Sequence, residues 1–358
     1  MKDFSFPIFK TKIPGVSGRF MLEDPVERRK YFDAKAGPEI EKLRGYLEKN
    51  TFLGFMLGPK NSGKGTYVKL FMEAVGGDRV AHLSVGDIVR NVHKELVDEK
   101  KKKELVGFLQ KRYRGFITID KALNIILGRD TKTLLPTEII LALAEREIDR
   151  IGKKAIFIDG FPRNLDQVSY SLYFRALIGY RDDPDFFVFI DVPEAVIDER
   201  MKTRVVCPQC QSPRNIKLLR TKEVGYDSAT KQFYLICDNP NCPGYGKDRM
   251  ISKEGDELGI EAVRDRIEVD RKVARTLIDL KGVPQIFLRN SIPIAEAKEY
   301  VDDYEITPAY LYELEEGKVN VIEEPWTVTD DEGNLSYSLL PVPVALALIK
   351  ETVRALNL

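Results

Sequence analysis

Apolar residues in this chain fall into short, dense blocks separated by longer stretches of mixed character. Five blocks, "TFLGFML", "VAHLSV", "KAIFIDGF", "FFVFIDV" and "VPQIFLRN", are rich in Val, Ile and Phe and too short for helices. Runs apolar at successive positions, rather than at every second one, belong to strands buried on both faces. Helix-length segments lie between them, so the pattern predicts a parallel sheet covered by helices on both sides. Before the first block, Pro7 and Pro14 mark an irregular start, and Asp24 to Lys49 carries a charged helical pattern with Leu43 and Leu47 on one face. After Tyr304 the pattern changes to "AYLYELE", "KVNVIEE" and "LSYSLLP", joined by "EEG" and "DDEGN" turns and followed by an apolar helix to Leu358. The expected organisation is an extension over 1–50, core over 51–90, an insertion over 91–137, core over 138–204, a second insertion over 205–255, core over 256–304 and a C-terminal extension over 305–358. No internal repeat is visible.

The 56 basic and 56 acidic residues balance across 358 positions, which argues against a general nucleic-acid or membrane binder. The run "LLPVPVALALI" is too short to span a bilayer and holds two prolines, and "MKDFSFPIFK" lacks a signal-peptide core. A soluble, monomeric, cytoplasmic protein is expected.

The candidate chemistry begins where the first block ends. "GPKNSGKGT" follows a strand and opens a helix, matching the G-x-x-x-x-G-K phosphate-binding loop from Gly58 to Lys64. Gly58, Asn61, Ser62, Gly63, Gly65 and Thr66 would cradle phosphates with backbone N–H groups and the helix N-terminus, while Lys64 reaches the terminal phosphates. Gly65 stands where most such loops carry a Mg²⁺-binding Ser or Thr, and Thr66 comes one position later.

A second stretch, "FIDGFPRNLDQ", ends a strand in Asp159 and continues through Gly160 and Arg163 to Gln167. With "GKGT", with "SVGDIVR" from Ser84 to Arg90, and with "ERMKTR" and "VRDRIE" flanking the second insertion, it makes the chain from about Phe52 to Tyr300 resemble the adenylate kinase group of nucleoside monophosphate kinases. The resemblance implies an α/β P-loop NTPase-type fold, with an enlarged NMP-binding insertion at 91–137, a lid at 205–255 that closes over ATP, and a small C-terminal extension. It implies ATP and Mg²⁺ as cofactors and AMP as acceptor, and therefore the reaction ATP + AMP ⇌ 2 ADP. Lys64, Arg163, Arg204, Arg266 and Arg264 would be catalytic. Arg200 and Arg204 would hold the donor, Asp159 and Asp87 the Mg²⁺, and Ser84, Val85, Arg90, Leu135, Gly160, Arg163 and Gln167 the acceptor. Such a transfer needs fixed cations and excluded water rather than a general base, which suits this abundance of arginine. The family's lid carries one more arginine, for which Arg249 and Lys253 are the candidates here.

All four cysteines, Cys207, Cys210, Cys237 and Cys242, fall in the lid insertion as "CPQC" and "CDNPNC". Two chelating turns suit one structural Zn²⁺ held by four thiolates; disulfides are the alternative. His82 and His93 are read as packing or surface residues. The amide of Gln167 both donates and accepts, so it suits an adenine edge, whereas Val85 stands where adenylate kinases usually have a Thr. The competing readings are a UMP/CMP-type kinase, or a P-loop ATPase that binds RNA or protein through its zinc module and C-terminal extension. "DGFPR" and "SVGDIVR" favour the kinase, because a plain ATPase needs no acceptor-phosphate site.

Overall fold

The computed structural model describes residues 4, 6–16, 18–128, 136–165, 167–168 and 183–358. In chain order, α1 (Pro25–Tyr46), β1 (Leu53–Leu57), α2 (Lys64–Val75), β2 (Val80–Ser84), α3 (Val85–Glu95), α4 (Glu99–Arg112), α5 (Ile119–Leu127), α6 (Thr137–Ile151), β3 (Ala155–Asp159) and β4 (Asp185–Asp191) lead to α7 (Glu194–Lys202). The lid insertion follows as β5 (Arg204–Val206), β6 (Pro213–Asn215), β7 (Val224–Asp227), β8 (Gln232–Leu235) and β9 (Ile251–Ser252). The chain ends with α8 (Arg264–Ile278), β10 (Gln285–Arg289), β11 (Ser291–Pro293), α9 (Ile294–Tyr300), β12 (Pro308–Glu315), β13 (Lys318–Pro325), β14 (Thr327–Thr329), β15 (Leu335–Ser338) and α10 (Pro341–Ala355).

The five apolar blocks are the five strands of one parallel sheet, ordered β10-β4-β1-β3-β2. Their side chains alternate between two cores, as the twofold strand repeat requires. Phe157, Phe186 and Val188 join α1, α2, α7 and α10 on one face. Phe55, Ile158, Phe187 and Phe189 join α3, α6 and α8 on the other. Gly54 is a packing requirement of the first core. A Cβ there would meet the Phe157 ring at 2.7 Å.

The two extensions belong to this core. α1 starts at Asp24, whose carboxylate accepts from the N–H groups of Val26 and Glu27, and it is interrupted at Ala36 two residues before Pro38. Arg28 makes a bidentate pair with Glu73 at 2.8 and 2.9 Å, and Arg44 donates to the carbonyls of Ala74 and Val75 at the end of α2. α10 packs on α2 and β10. β12 and β13 form a hairpin through Glu316 and Gly317, both with positive φ, the conformation a two-residue hairpin turn needs. The "DDEGN" turn joins β14 to β15; β14 is a strand the sequence pattern did not single out. The lysine run of α4 lies on an exposed face, Lys100 to Lys103.

Candidate functional site

In parallel sheets, ligands gather beyond the carboxyl ends of the strands. Here β1 runs into the phosphate loop, β2 ends in Ser84 and β3 ends in Asp159, and the register pairs Asp159 with both Met56 and Ser84. Three motifs distant in sequence thereby meet at one sheet edge.

The phosphate loop has the backbone its glycines permit. Gly58, Asn61 and Gly63 all have positive φ, and Gly63 caps α2 in the left-handed region, where a Cβ would strike the Tyr67 ring at 2.7 Å. Lys64 Nζ curls over the loop to the carbonyls of Gly58 and Pro59, at 2.8 and 2.9 Å, and lies 3.8 Å from an Asp159 carboxylate oxygen. The Ser62 hydroxyl is wholly buried and, among the described residues, has no hydrogen-bond partner; nor has Asn61 Nδ2. Such orphaned polar atoms fit an anion with several oxygens. Thr66 is exposed on α2.

Beside the loop, Lys64, Asp159, Gly160, Pro162, Arg163, Arg266 and Asp270 line one small cleft. Gly160 takes φ 86°, and a Cβ there would meet the Arg163 guanidinium at 2.7 Å. The Phe161–Pro162 peptide is cis. Asp270 had no motif to mark it, although it stands one helical turn beyond Arg266, on the same face of α8. Burial raises its pKa, against the pull of Lys64, Arg266 and Arg163.

Beyond β2, Val85 is buried at the start of α3, whose N-cap is Ser84. Asp87 in the first turn is ion-paired with Arg90, both more than half exposed. Leu135 lies outside the described residues. Gln167, expected to meet a base, has protein partners at both ends of its amide. Only 1 % of it is exposed, its Oε1 accepts from the Arg163 N–H at 2.8 Å, and its Nε2 donates to the Thr137 hydroxyl at 3.2 Å. Both ends of the amide are used in bracing the "DGFPR" turn. His82, beside Gly65, has a buried Nε2 with no partner among the described residues, and burial lowers its pKa.

On the lid side, Arg200 reaches the Asn61 carbonyl at 3.4 Å and Asn290 Oδ1 at 3.0 Å. Arg204 reaches Asn61 Oδ1 at 3.3 Å and is held bidentately by buried Asp256 at 2.5 and 2.6 Å. Arg264 instead pairs with Glu261 and Glu194. Lys60, missed in the sequence, has its pKa lowered by burial and then by the charges of Arg266, Arg204 and Lys253, against the pull of Asp256. Arg249 pairs with Asp227 at 2.9 Å and stacks on Tyr234.

All four cysteines are free thiols whose sulfurs lie within 4.8 Å of one another. The Cys207–Cys242 and Cys210–Cys237 separations are both 3.8 Å, far beyond a disulfide bond of about 2.05 Å. A tetrahedral ion with metal–sulfur bonds of about 2.3 Å has sulfur–sulfur edges of about 3.8 Å. Burial pushes the Cys237 thiol up to about 12, whereas the Ser212 hydroxyl and N–H hold Cys210 down at about 6. A cation shared by the set would bring all four to the thiolate form.

Comparison with known proteins agrees with this arrangement. The family model described as an AAA domain matches residues 57–206. An adenylate kinase of Thermotoga neapolitana is 29 % identical over 235 residues, 65 % of this chain and 86 % of the relative. One from Thermotoga petrophila is 30 % identical over 62 % of this chain and 82 % of the relative, and one from Clostridium novyi is 30 % identical over 63 % and 83 %. With the phosphate loop, the "SVGD" segment and the "DGFPR" turn meeting at one sheet edge, with Arg200 and Arg204 reaching the loop from the base of the cysteine insertion, and with relatives of this kind along most of their length, the chain belongs to the adenylate kinase family and is a phosphotransferase of the nucleoside monophosphate kinase type.

Proposed function

We propose that the enzyme transfers the γ-phosphoryl group of Mg-ATP to AMP, giving two ADP. The observation that carries this reading is the single cleft in which Lys64 of the phosphate loop meets Arg163 and Arg266. Donor and acceptor phosphates brought there would share one set of fixed cations, and in-line transfer needs little else from the protein. AMP as acceptor rests on the curated relatives, which are adenylate kinases.

In this reading, backbone N–H groups of the loop and Lys64 hold the donor β- and γ-phosphates, Arg200 and Arg204 approach from the lid base, and Arg266 neutralises charge developing in transfer. Arg163 and Arg90 bind the acceptor phosphate. Asp159 and Asp87 would hold Mg²⁺ through its waters; the metal supplies charge neutralisation at the donor phosphates. Arg264 acts only after giving up Glu261 and Glu194. Lys253, near Lys60 and Arg204, takes the place of the further lid arginine. Gln167 acts as a brace for Arg163, not as a reader of the base. The four cysteines hold a structural Zn²⁺, which the 3.8 Å sulfur separations support.

The deciding experiment is kcat/KM for AMP, CMP, UMP and GMP with ATP and Mg²⁺. AMP should lead. A higher value for CMP or UMP overturns the acceptor and leaves the kinase reading standing.

A further inference from the structure

The hairpin of β12 and β13 stands on the core and ends on the lid. At its base Ala309 and Trp326 are buried in the same core as α2, the Trp326 N–H donates to the Thr307 carbonyl at 3.1 Å, and the Thr307 N–H donates to Ser338 at 2.8 Å. Higher up it grips the segment between β6 and β7. The Tyr310 N–H donates to the Lys217 carbonyl at 2.7 Å, and the Tyr312 hydroxyl donates to the Ile216 carbonyl at 2.5 Å. The Tyr312 ring lies 5.5 Å from the ring of Phe233 on β8, and the Arg220 guanidinium sits 5.2 Å from the Tyr310 ring centre. Burial pushes the Tyr312 phenol up to about 12, so it remains a donor at any ordinary pH.

The gripped segment adjoins Asn215, which ties the base of the lid together. Asn215 Oδ1 accepts from the N–H groups of Lys217 and Leu218 and from the Thr203 hydroxyl, at 3.0, 2.8 and 2.9 Å, while its Nδ2 donates to the Arg200 carbonyl at 3.3 Å. Arg200 and Arg204 on either side of that junction are the two side chains that reach Asn61 in the phosphate loop. A continuous set of bonds therefore runs from the C-terminal hairpin through Asn215 to the donor-side arginines.

We propose that Tyr310 and Tyr312 are positioning residues for phosphoryl transfer: the hairpin clasps the lid and fixes where Arg200 and Arg204 stand relative to the phosphate loop. The inference rests on the lid and donor-site reading given above. The hairpin is a poor surface for nucleic acid, since Glu313, Glu315, Glu316, Glu323 and Glu324 outnumber its one basic residue, Lys318.

The test uses the full-length, metal-loaded enzyme and three variants, Tyr312→Ala, Tyr312→Phe and, as a control at the exposed tip, Leu314→Ala. Amide hydrogen exchange across 216–235 should rise roughly tenfold in Tyr312→Ala, less in Tyr312→Phe, and not in Leu314→Ala, with β1 and α2 unchanged. KM for Mg-ATP should rise several-fold in the same order, with KM for the acceptor unmoved. Unchanged exchange in Tyr312→Ala overturns the clasp, and raised exchange with an unaltered KM for Mg-ATP overturns its role in positioning. Were the unmodified enzyme to show no ATP-dependent transfer, the catalytic reading would fall, while the exchange arm would still decide whether the hairpin holds the lid.

Discussion

Lys64 and Arg163 are separated by almost a hundred positions in the chain yet line one cleft. Charge stabilisation of this kind acts mainly on the transition state, so Lys64→Ala or Arg163→Ala should each lower kcat by roughly 10²- to 10⁴-fold with an unchanged thermal melt. Near-normal turnover in either would remove that residue from the site. Gln167 gives a sharper residue-level test. Because its amide braces the Arg163 N–H and the Thr137 hydroxyl, Gln167→Ala should cost about 1–3 kcal/mol in kcat/KM, and the loss should be equal for AMP and UMP. A loss confined to AMP would restore the direct base contact that the residue type first suggested.

The lid is the element with the smallest apolar core, so the proposed Zn²⁺ should matter most to its fold. Its cluster holds Val205, Leu235, Met250 and three of the cysteines, with Cys210, Ile216 and Val224 packed against it, a small core for five short strands. Metal analysis should find about one zinc per chain, and chelation should melt β5 to β9 while the five-stranded sheet persists, read as two separate transitions by circular dichroism. A native preparation with no metal and a single cooperative melt would contradict this. Proton release provides a second check. Burial holds the metal-free Cys237 thiol protonated, with its pKa at about 12, so adding Zn²⁺ to the metal-free protein near pH 7 must expel protons. A pH indicator in weak buffer should record a fall in pH that a variant lacking Cys237 reduces.

Across the molecule, the N-terminal segment, α1 and the chain after α9 are joined by a buried polar cluster. Lys35 Nζ lies 2.7 Å from both Asp302 and Glu305, Tyr31 donates to Glu305 at 2.6 Å, and the Thr11 hydroxyl also donates to Glu305. The side chains of Lys35 and Glu305 are fully buried. Removing one partner leaves an uncompensated charge in the interior, so Lys35→Met should lower unfolding stability by about 3–5 kcal/mol, measured by denaturant titration. A change under about 1 kcal/mol would show that the cluster contributes little net stability.

Features set within a few residues were legible in the sequence. The phosphate loop declares itself because glycines most readily adopt its backbone, the sheet because doubly buried strands must be continuously apolar, and the cysteine site because two chelating turns are local. Asp270 carried no such mark, since its meaning comes from Lys64 and Arg163 on other elements. The docking of α1 and α10 was likewise hidden, because a charged helix such as α1 is equally plausible as a solvated extension until Arg28 and Arg44 find Glu73 and the end of α2. The surroundings of Gln167 were hidden for the same reason. Its residue type allows an adenine edge or a backbone amide, and only the tertiary structure brings Thr137 and the Arg163 N–H to it. Sequence determined the candidate groups for phosphate and metal, through backbone freedom and ligand spacing. Tertiary structure alone decided which charged side chains face one another and which element holds the lid, because those contacts join positions with no local relation along the chain.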